Sequence, residues 1–420
     1  MTTVVLFTRD LRVRDNPALA AACRDDYVVP LFVLDPRLLE ASPNRTAFLV
    51  DSLASLRTEL RDRGGDLVLR SGEPVAEALS LAASVGASRI VASADVSAYA
   101  GRREARLAAA DVAFATYPGV TVVPPGELRP TGGDHYRVFT PYWRAWERAS
   151  WRPVERAPAR VQLPGGLAVG RLPARPTDVS PLLPRGGEDV GQRLLARVGP
   201  GDRDALAADE TTRLSPYLHF GCVSPLAVAT RLRGKADEVV RQLCWRDFFH
   251  QVTSAFPAIG TRDYRPGRRS WASGQEDAIE AWRQGRTGVP IVDAGMRQLL
   301  AEGWMHNRAR MVVASFLTKQ LNVDWRIGAA HFLRWLVDGD VANNSGNWQW
   351  VAGTGNDTRP NRVLNPLRQA YRFDPTGDYV RRYVPELAEV SGKGVQEPWK
   401  LEPPPPDYPP PRIDPVPSRG

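Results

Sequence analysis

Short runs rich in β-branched and apolar residues, spaced by helical stretches, fill the first 117 residues and narrow the fold at once. The runs are 4–8, 28–34, 66–69, 89–92 and 112–117. A helix is predicted from Asn16-Pro17, a cap followed by proline at the first helical position. Others are predicted over 45–63, 73–85 and 101–110. Strands that alternate with helices pair in parallel, because each crossover returns the chain to the same end of the sheet. A doubly wound α/β domain is therefore expected over residues 1–125.

The rest of the chain reads differently. All 12 tryptophans lie between Trp143 and Trp399, so the two parts are expected to have different tasks. Residues 126–192, rich in Pro, Gly and Arg with little periodicity, read as a connection wrapping the surface. Residues 193–400 read as an all-α domain, and the Pro-rich stretch 401–420 as an extended, peripheral tail. A chain of 420 residues has length enough for two or three cores.

A formal charge of +8 permits a polyanionic partner. Cys23, Cys222 and Cys244 have no metal-ligand spacing, which points to a reducing cytoplasm and no metal site. No basic lead and apolar segment of a secretion signal precedes Val4-Val5-Leu6-Phe7. No apolar run approaches membrane-spanning length.

Residues 338–355 hold the densest chemistry, Asp-Gly-Asp-Val-Ala-Asn-Asn-Ser-Gly-Asn-Trp-Gln-Trp-Val-Ala-Gly-Thr-Gly. On a helix Trp348 and Trp350 point about 200° apart, so one indole can face a ring while the other lines a separate cavity. Thr211-Thr212-Arg213-Leu214-Ser215-Pro216 ends a loop and opens a helix, with Ser215 expected as cap and Pro216 as first residue. Free N–H groups at such an end attract phosphate. Val223-Ser224-Pro225 repeats the cap pattern without further chemistry. No Gly-x-Gly-x-x-Gly follows the first strand, so the ordinary dinucleotide fingerprint is missing.

These motifs together resemble the photolyase/cryptochrome family, most closely its class I cyclobutane pyrimidine dimer photolyases, across nearly all of residues 1–400. Phe7-Thr8-Arg9-Asp10-Leu11-Arg12, Asp15-Asn16-Pro17-Ala18-Leu19 and Tyr136-Arg137-Val138-Phe139-Thr140-Pro141 resemble segments of its N-terminal part. The resemblance implies non-covalent FAD, active when reduced, with Thr211, Thr212, Arg213, Leu214 and Ser215 at its diphosphate. Asp338, Asp340 and Asn344 would address the flavin ring and ribityl chain, with Arg246 and Arg310 adding positive charge. An amide at 344 is the photolyase choice, able to meet either state of the flavin N5 by rotating. The tyrosine that the family places about twelve residues ahead of the diphosphate loop has no counterpart in Gly199-Pro200-Gly201-Asp202.

Trp348, Trp325 and Trp271 match the family's electron relay, while Trp282, Trp304 and Trp335 read as core. The resemblance places Gln242, Trp245, Asn307, Met311 and Trp350 around a flipped-out dimer. Arg308, Arg362 and the run Arg262, Arg265, Arg268, Arg269 would meet DNA phosphates. Cyclobutane-dimer photolyases typically carry Glu where this chain has Gln242, and (6-4) photolyases and animal cryptochromes carry Gln. Against a (6-4) enzyme, His306 is followed by Asn307, and Met311 stands where that chemistry requires His.

The implied activity is light-driven splitting of cyclobutane dimers in DNA, by an electron lent from excited reduced FAD and then returned. The alternative is a cryptochrome-like blue-light photoreceptor, kept open by Gln242. A second, antenna chromophore is implied in the N-terminal domain. The family's folate site uses an Asn-Glu pair that Ala98-Tyr99-Ala100-Gly101-Arg102-Arg103 lacks, so a deazaflavin is preferred. A cytoplasmic monomer without membrane contact, with damaged DNA as its partner, completes the expectation.

Overall fold

The computed structural model describes residues 1–199, 204–267, 270–359 and 361–413. It divides into two compact units. The first comprises Met1–Val179, Pro184–Pro200 and Thr212–Ala258, and the second Ser180–Leu183, Gly201–Thr211 and Ile259–Gly420.

The first unit opens β1 (Thr2–Leu6), α1 (Pro17–Ala22), β2 (Tyr27–Leu34), α2 (Pro36–Leu39), α3 (Pro43–Arg61), β3 (Val68–Ser71), α4 (Pro74–Ser84), β4 (Arg89–Ser93), α5 (Ala98–Ala108) and β5 (Ala113–Tyr117). The strands form one parallel sheet in the order β3-β2-β1-β4-β5. Val4, Val5 and Leu6 are buried, as are Val28, Val29 and Leu31, because helices cover both faces. The winding of successive strands across the sheet switches direction between β1 and β4, the point at which such a sheet opens a crevice at the carboxyl ends of its strands. Helix starts follow local chemistry. Asn16 accepts from Leu19 N at 3.0 Å, Glu73 from Ala76 N at 3.0 Å, and each precedes proline.

The stretch expected to be irregular contains α6 (Phe139–Arg148). Phe139, Tyr142 and Trp146 recur at helical spacing and are buried, and Pro141 falls in the first turn, where no intrahelical N–H bond is lost. After α7 (Glu188–Ala196), α8 (Ser215–His219) and α9 (Pro225–Leu232), the unit ends in the long α10 (Asp237–Ala255).

The second unit is helical: α11 (Glu276–Gln284), α12 (Pro290–Glu302), α13 (Asn307–Ser315), α14 (Trp325–Trp335), α15 (Val341–Ala352), α16 (Pro366–Phe373) and α17 (Asp378–Tyr383). Its core holds Trp282, Trp325 and Trp348. The Pro-rich tail is not wholly peripheral as expected. Tyr408 is buried and donates to Asp293 Oδ2 at 2.6 Å, and Arg412 N donates to Thr287 O at 3.1 Å. One aromatic residue with a buried acceptor anchors a stretch whose composition alone suggests an extended coil. No helix among the described residues is long and apolar enough to cross a membrane, and no cluster of three metal-ligating side chains occurs among them.

Candidate flavin and lesion site

A cavity opens in the second unit between α13, α14 and α15. Asn307, Arg310 and Met311 line it from one face of α13, Phe332 from α14 and Leu336 from the residue after it, and Asp338, Asp340, Asn344 and Trp348 from the approach to α15 and the helix itself. His306 sets α13 in place. Its Nδ1 accepts from Arg308 N at 3.0 Å, capping the helix with a neutral imidazole.

Asp340 caps α15, its Oδ1 accepting from Asn343 N and Asn343 Nδ2 at 2.8 Å each. Asp338 Oδ2 accepts from Arg310 Nη2 at 2.8 Å, while Oδ1 is buried without a partner. Arg310 is steadied by Met305 O at 2.8 Å. Asn344 Nδ2 donates to Ala329 O at 3.0 Å. That bond corrects the expectation of a freely rotating amide: with Nδ2 committed to α14, the side chain presents Oδ1, and turning it over breaks a bond worth about 1 kcal/mol. The Trp348 indole N–H is likewise buried and unpartnered. Its ring packs against Phe332, centroids 5.0 Å apart, and against Gly328, where a Cβ would come within 2.1 Å of the indole.

The two indoles of Trp348-Gln349-Trp350 do part ways. Trp348 enters the core, whereas Trp350 is half-buried, donates to Asp357 O at 3.0 Å and carries the Arg362 guanidinium 5.4 Å from its ring centre. Trp325 is fully buried and donates to Asp263 Oδ1 at 2.8 Å, and Trp271 packs, half-buried, against the same core. Trp282 and Trp304 are buried and Trp335 half-buried, in line with core roles. Arg308 is engaged within the unit, paired with Asp204 at 2.8 Å and lying 4.2 Å from the Phe373 ring. Arg262 and Arg265 are exposed; Arg268 and Arg269 lie outside the described residues.

The first unit holds the other expected site residues. Gln242 is exposed on α10, and Trp245 lies flat against Phe139, centroids 3.6 Å apart and planes 5° from parallel. Arg246 donates to Val120 O and to Leu218 O. In the loop from Thr212, Arg213 has a left-handed backbone (φ 52°) and Thr212 Oγ1 accepts from Leu214 N at 3.3 Å. Thr211, in the second unit, donates to Asp209 Oδ1 at 3.2 Å. The capping expectation fails here. α8 starts one residue early, so Ser215 is its first residue and Leu214, which has no side chain to accept, stands at the cap. A five-residue helix also has little dipole to offer an anion. Ser224, by contrast, caps α9 as read, accepting from Ala227 N at 3.2 Å.

Sequence reasoning missed Phe139 and Asp247. Asp247 Oδ2 accepts from Val122 N, Val123 N and Trp146 Nε1, at 2.9, 3.0 and 2.9 Å, fixing α10 against α6. A buried carboxylate directly after the Trp245-Arg246 pair was the available signal.

The residues that line the cavity suit a flavin by their chemistry: a charged pair with one unpartnered oxygen, an anchored amide and an unpaired indole N–H. The sequence agrees. A profile described as the FAD binding domain of DNA photolyase matches residues 239–418, and one described as DNA photolyase matches 3–160. The chain belongs to the DNA photolyase/cryptochrome family. It is 53% identical to the deoxyribodipyrimidine photo-lyase of Streptomyces griseus, over 95% of this chain and 92% of that one. Among solved structures, the photolyase of Sulfolobus tokodaii, which holds two FAD molecules, superposes with a TM-score of 0.90 at 34% identity, covering 99% of this chain and 96% of that one. A Synechocystis cryptochrome gives 0.89 at 30% identity, covering 98% and 96%.

Proposed function

We propose that this chain uses light and FAD to split cyclobutane pyrimidine dimers in DNA. The observation that carries the reading is the Asp338–Arg310 pair with its unpartnered oxygen, set beside the anchored Asn344 and the Trp348 indole in one cavity. When bound and reduced, FAD supplies a light-excited one-electron donor.

The chain's own residues hold and shield that donor. Asp338 Oδ1 would accept a ring N–H, and Asn344 Oδ1 would accept the N–H that a reduced ring gains. Asp340 orients the start of α15 for the ribityl chain. Thr211, Thr212, Arg213, Ser215 and Arg246 would hold the remainder of the dinucleotide. Trp348, Trp325 and Trp271 share one core and would pass electrons inward from the surface. For the lesion, Trp245 and Trp350 would replace the stacking that an extruded base pair loses, and Gln242 and Asn307 would hydrogen-bond its edges. Met311 lines the cavity with Asn307. Arg362 and Arg308 would meet phosphate, Arg308 by exchanging Asp204 for it.

The functional division we propose is an antenna domain over 1–125, a connector over 126–192, a catalytic domain over 193–400 and a tail. The crevice between β1 and β4 would hold a deazaflavin in preference to folate. We take the protein to be a cytoplasmic monomer. A light sensor without repair activity is the second reading, favoured by Gln242 alone.

Illuminating the reduced, flavin-loaded protein with dimer-containing DNA separates the two. Loss of dimers supports repair; undiminished dimers alongside normal flavin photoreduction support the sensor.

A further inference from the structure

The segment Tyr136–Pro141 was recognisable in sequence but had no task. Its position in the first unit gives it one. The Gln251 side chain on α10 accepts from Tyr136 N at 2.9 Å and donates to Tyr136 O at 2.7 Å, pinning the start of α6. Phe139 then lies flat on Trp245, and Trp143 lies nearly parallel to Phe139, centroids 6.5 Å apart. Over both rings sits the guanidinium of Arg241, 5.7 Å from Phe139 and 5.9 Å from Trp143.

Arg241 is exposed, adjacent to Gln242 and one helical turn before Trp245. Among the described residues, no carboxylate forms an ion pair with it. Glu238, three positions earlier on α10, does not, and Asp237 is turned to Gly234 N at 2.7 Å. Three arginines of the second unit are neutralised by contrast, Arg310 by Asp338, Arg308 by Asp204 and Arg326 by Asp263. Aromatic faces hold a guanidinium without cancelling its charge, and they limit its rotamers before any ligand arrives. An oxyanion therefore meets a placed, fully charged fork. In the second unit Arg362 repeats the design: exposed, without a carboxylate partner among the described residues, and seated over Trp350.

We propose that Arg241 binds a backbone phosphate of the DNA strand that carries the lesion. The proposal rests on the repair reading, which supplies the nucleic acid. The position of Arg241 beside Gln242 and Trp245 supplies the place, and its unneutralised charge supplies the chemistry.

The test compares flavin-loaded wild-type protein with Arg241→Ala and Arg241→Lys. Affinities are measured for one duplex with and without a dimer, between about 50 and 200 mM salt. Loss of one phosphate contact makes the plot of log affinity against log salt shallower by about 0.9, a loss of about fivefold at 0.15 M salt. We expect that change in Arg241→Ala, by the same factor on damaged and undamaged duplex, with flavin content unchanged. Arg241→Lys keeps the wild-type slope. Unchanged slope and affinity in Arg241→Ala overturn the proposal, and so does a loss confined to damaged DNA. If instead the wild-type protein shows no preference for the damaged duplex, the repair reading fails, while the slopes on undamaged DNA still decide the role of Arg241.

Discussion

Arg310 on α13 and Asp338 before α15, both lining the cavity, form an ion pair 2.8 Å long that uses one carboxylate oxygen and leaves the other buried without a partner. The pair joins two helices and also presents an acceptor. Removing either partner therefore has distinct effects. Arg310→Met strands a charge that is 4% exposed and is expected to destabilise the fold by about 2–3 kcal/mol, below the full buried-pair value because Arg310 is 23% exposed. Asp338→Asn keeps the shape and is expected to lower FAD affinity more than stability. Denaturant unfolding and flavin titration of both variants check this; equal effects on both properties would contradict it.

Gly328 and Trp348 are in closer contact than any other side chain permits. A Cβ at 328 lies 2.1 Å from the indole, so Gly328→Ala must displace Trp348, which lines the cavity. We expect a stability loss of about 1–3 kcal/mol and FAD binding weakened by about tenfold or more. Flavin titration at matched folding, judged by far-ultraviolet circular dichroism, reads the second effect.

Asp247 makes stability depend on pH. Burial lifts its pKa to about 6, despite the three N–H donors on Oδ2, while the unfolded chain releases this proton near about 3.9. Between those values the folded state binds more protons than the unfolded state. Stability from this group is therefore greatest at low pH and falls as pH rises from about 4 to 6. Asp247→Asn keeps an acceptor for the same donors and has no charge to bury. It is expected to be more stable than wild type above pH 6, by about 1–3 kcal/mol, and to lose the advantage near pH 4. Parallel denaturation profiles of the two proteins across that range would refute the assignment.

Trp350 offers a cleaner separation of lesion from flavin. It is half-buried outside the residues that line the cavity, whereas Trp348 lines it. Trp350→Ala is expected to weaken binding of dimer-containing DNA by about 1–3 kcal/mol and leave FAD binding within twofold of wild type. Unchanged lesion affinity would remove Trp350 from the substrate site.

Much of this was legible before any coordinates. The parallel sheet follows from alternating strand and helix runs, and Asn16 and Ser224 cap the helices that their prolines announce. Asn307, Arg310 and Met311 share a face because helical geometry fixes which side chains stand together. What escaped depends on partners distant in sequence. Nothing near Asn344 reveals that Ala329 holds its amide. The α6 helix hid behind Pro141 and surrounding arginines, and with it the Phe139–Trp245 stack. At Ser215 the left-handed backbone of Arg213 shifted the helix start by one residue, which no propensity scale anticipates.

We take the electron used in repair to be returned to the flavin and not consumed. The decisive measurement is the number of dimers split per reduced flavin, counted under continuous light without oxygen or added reductant. Many dimers per flavin are expected, with the reduced absorption spectrum intact at the end. A yield that stops at one dimer per flavin, with the flavin left one electron short of its reduced form, would contradict it.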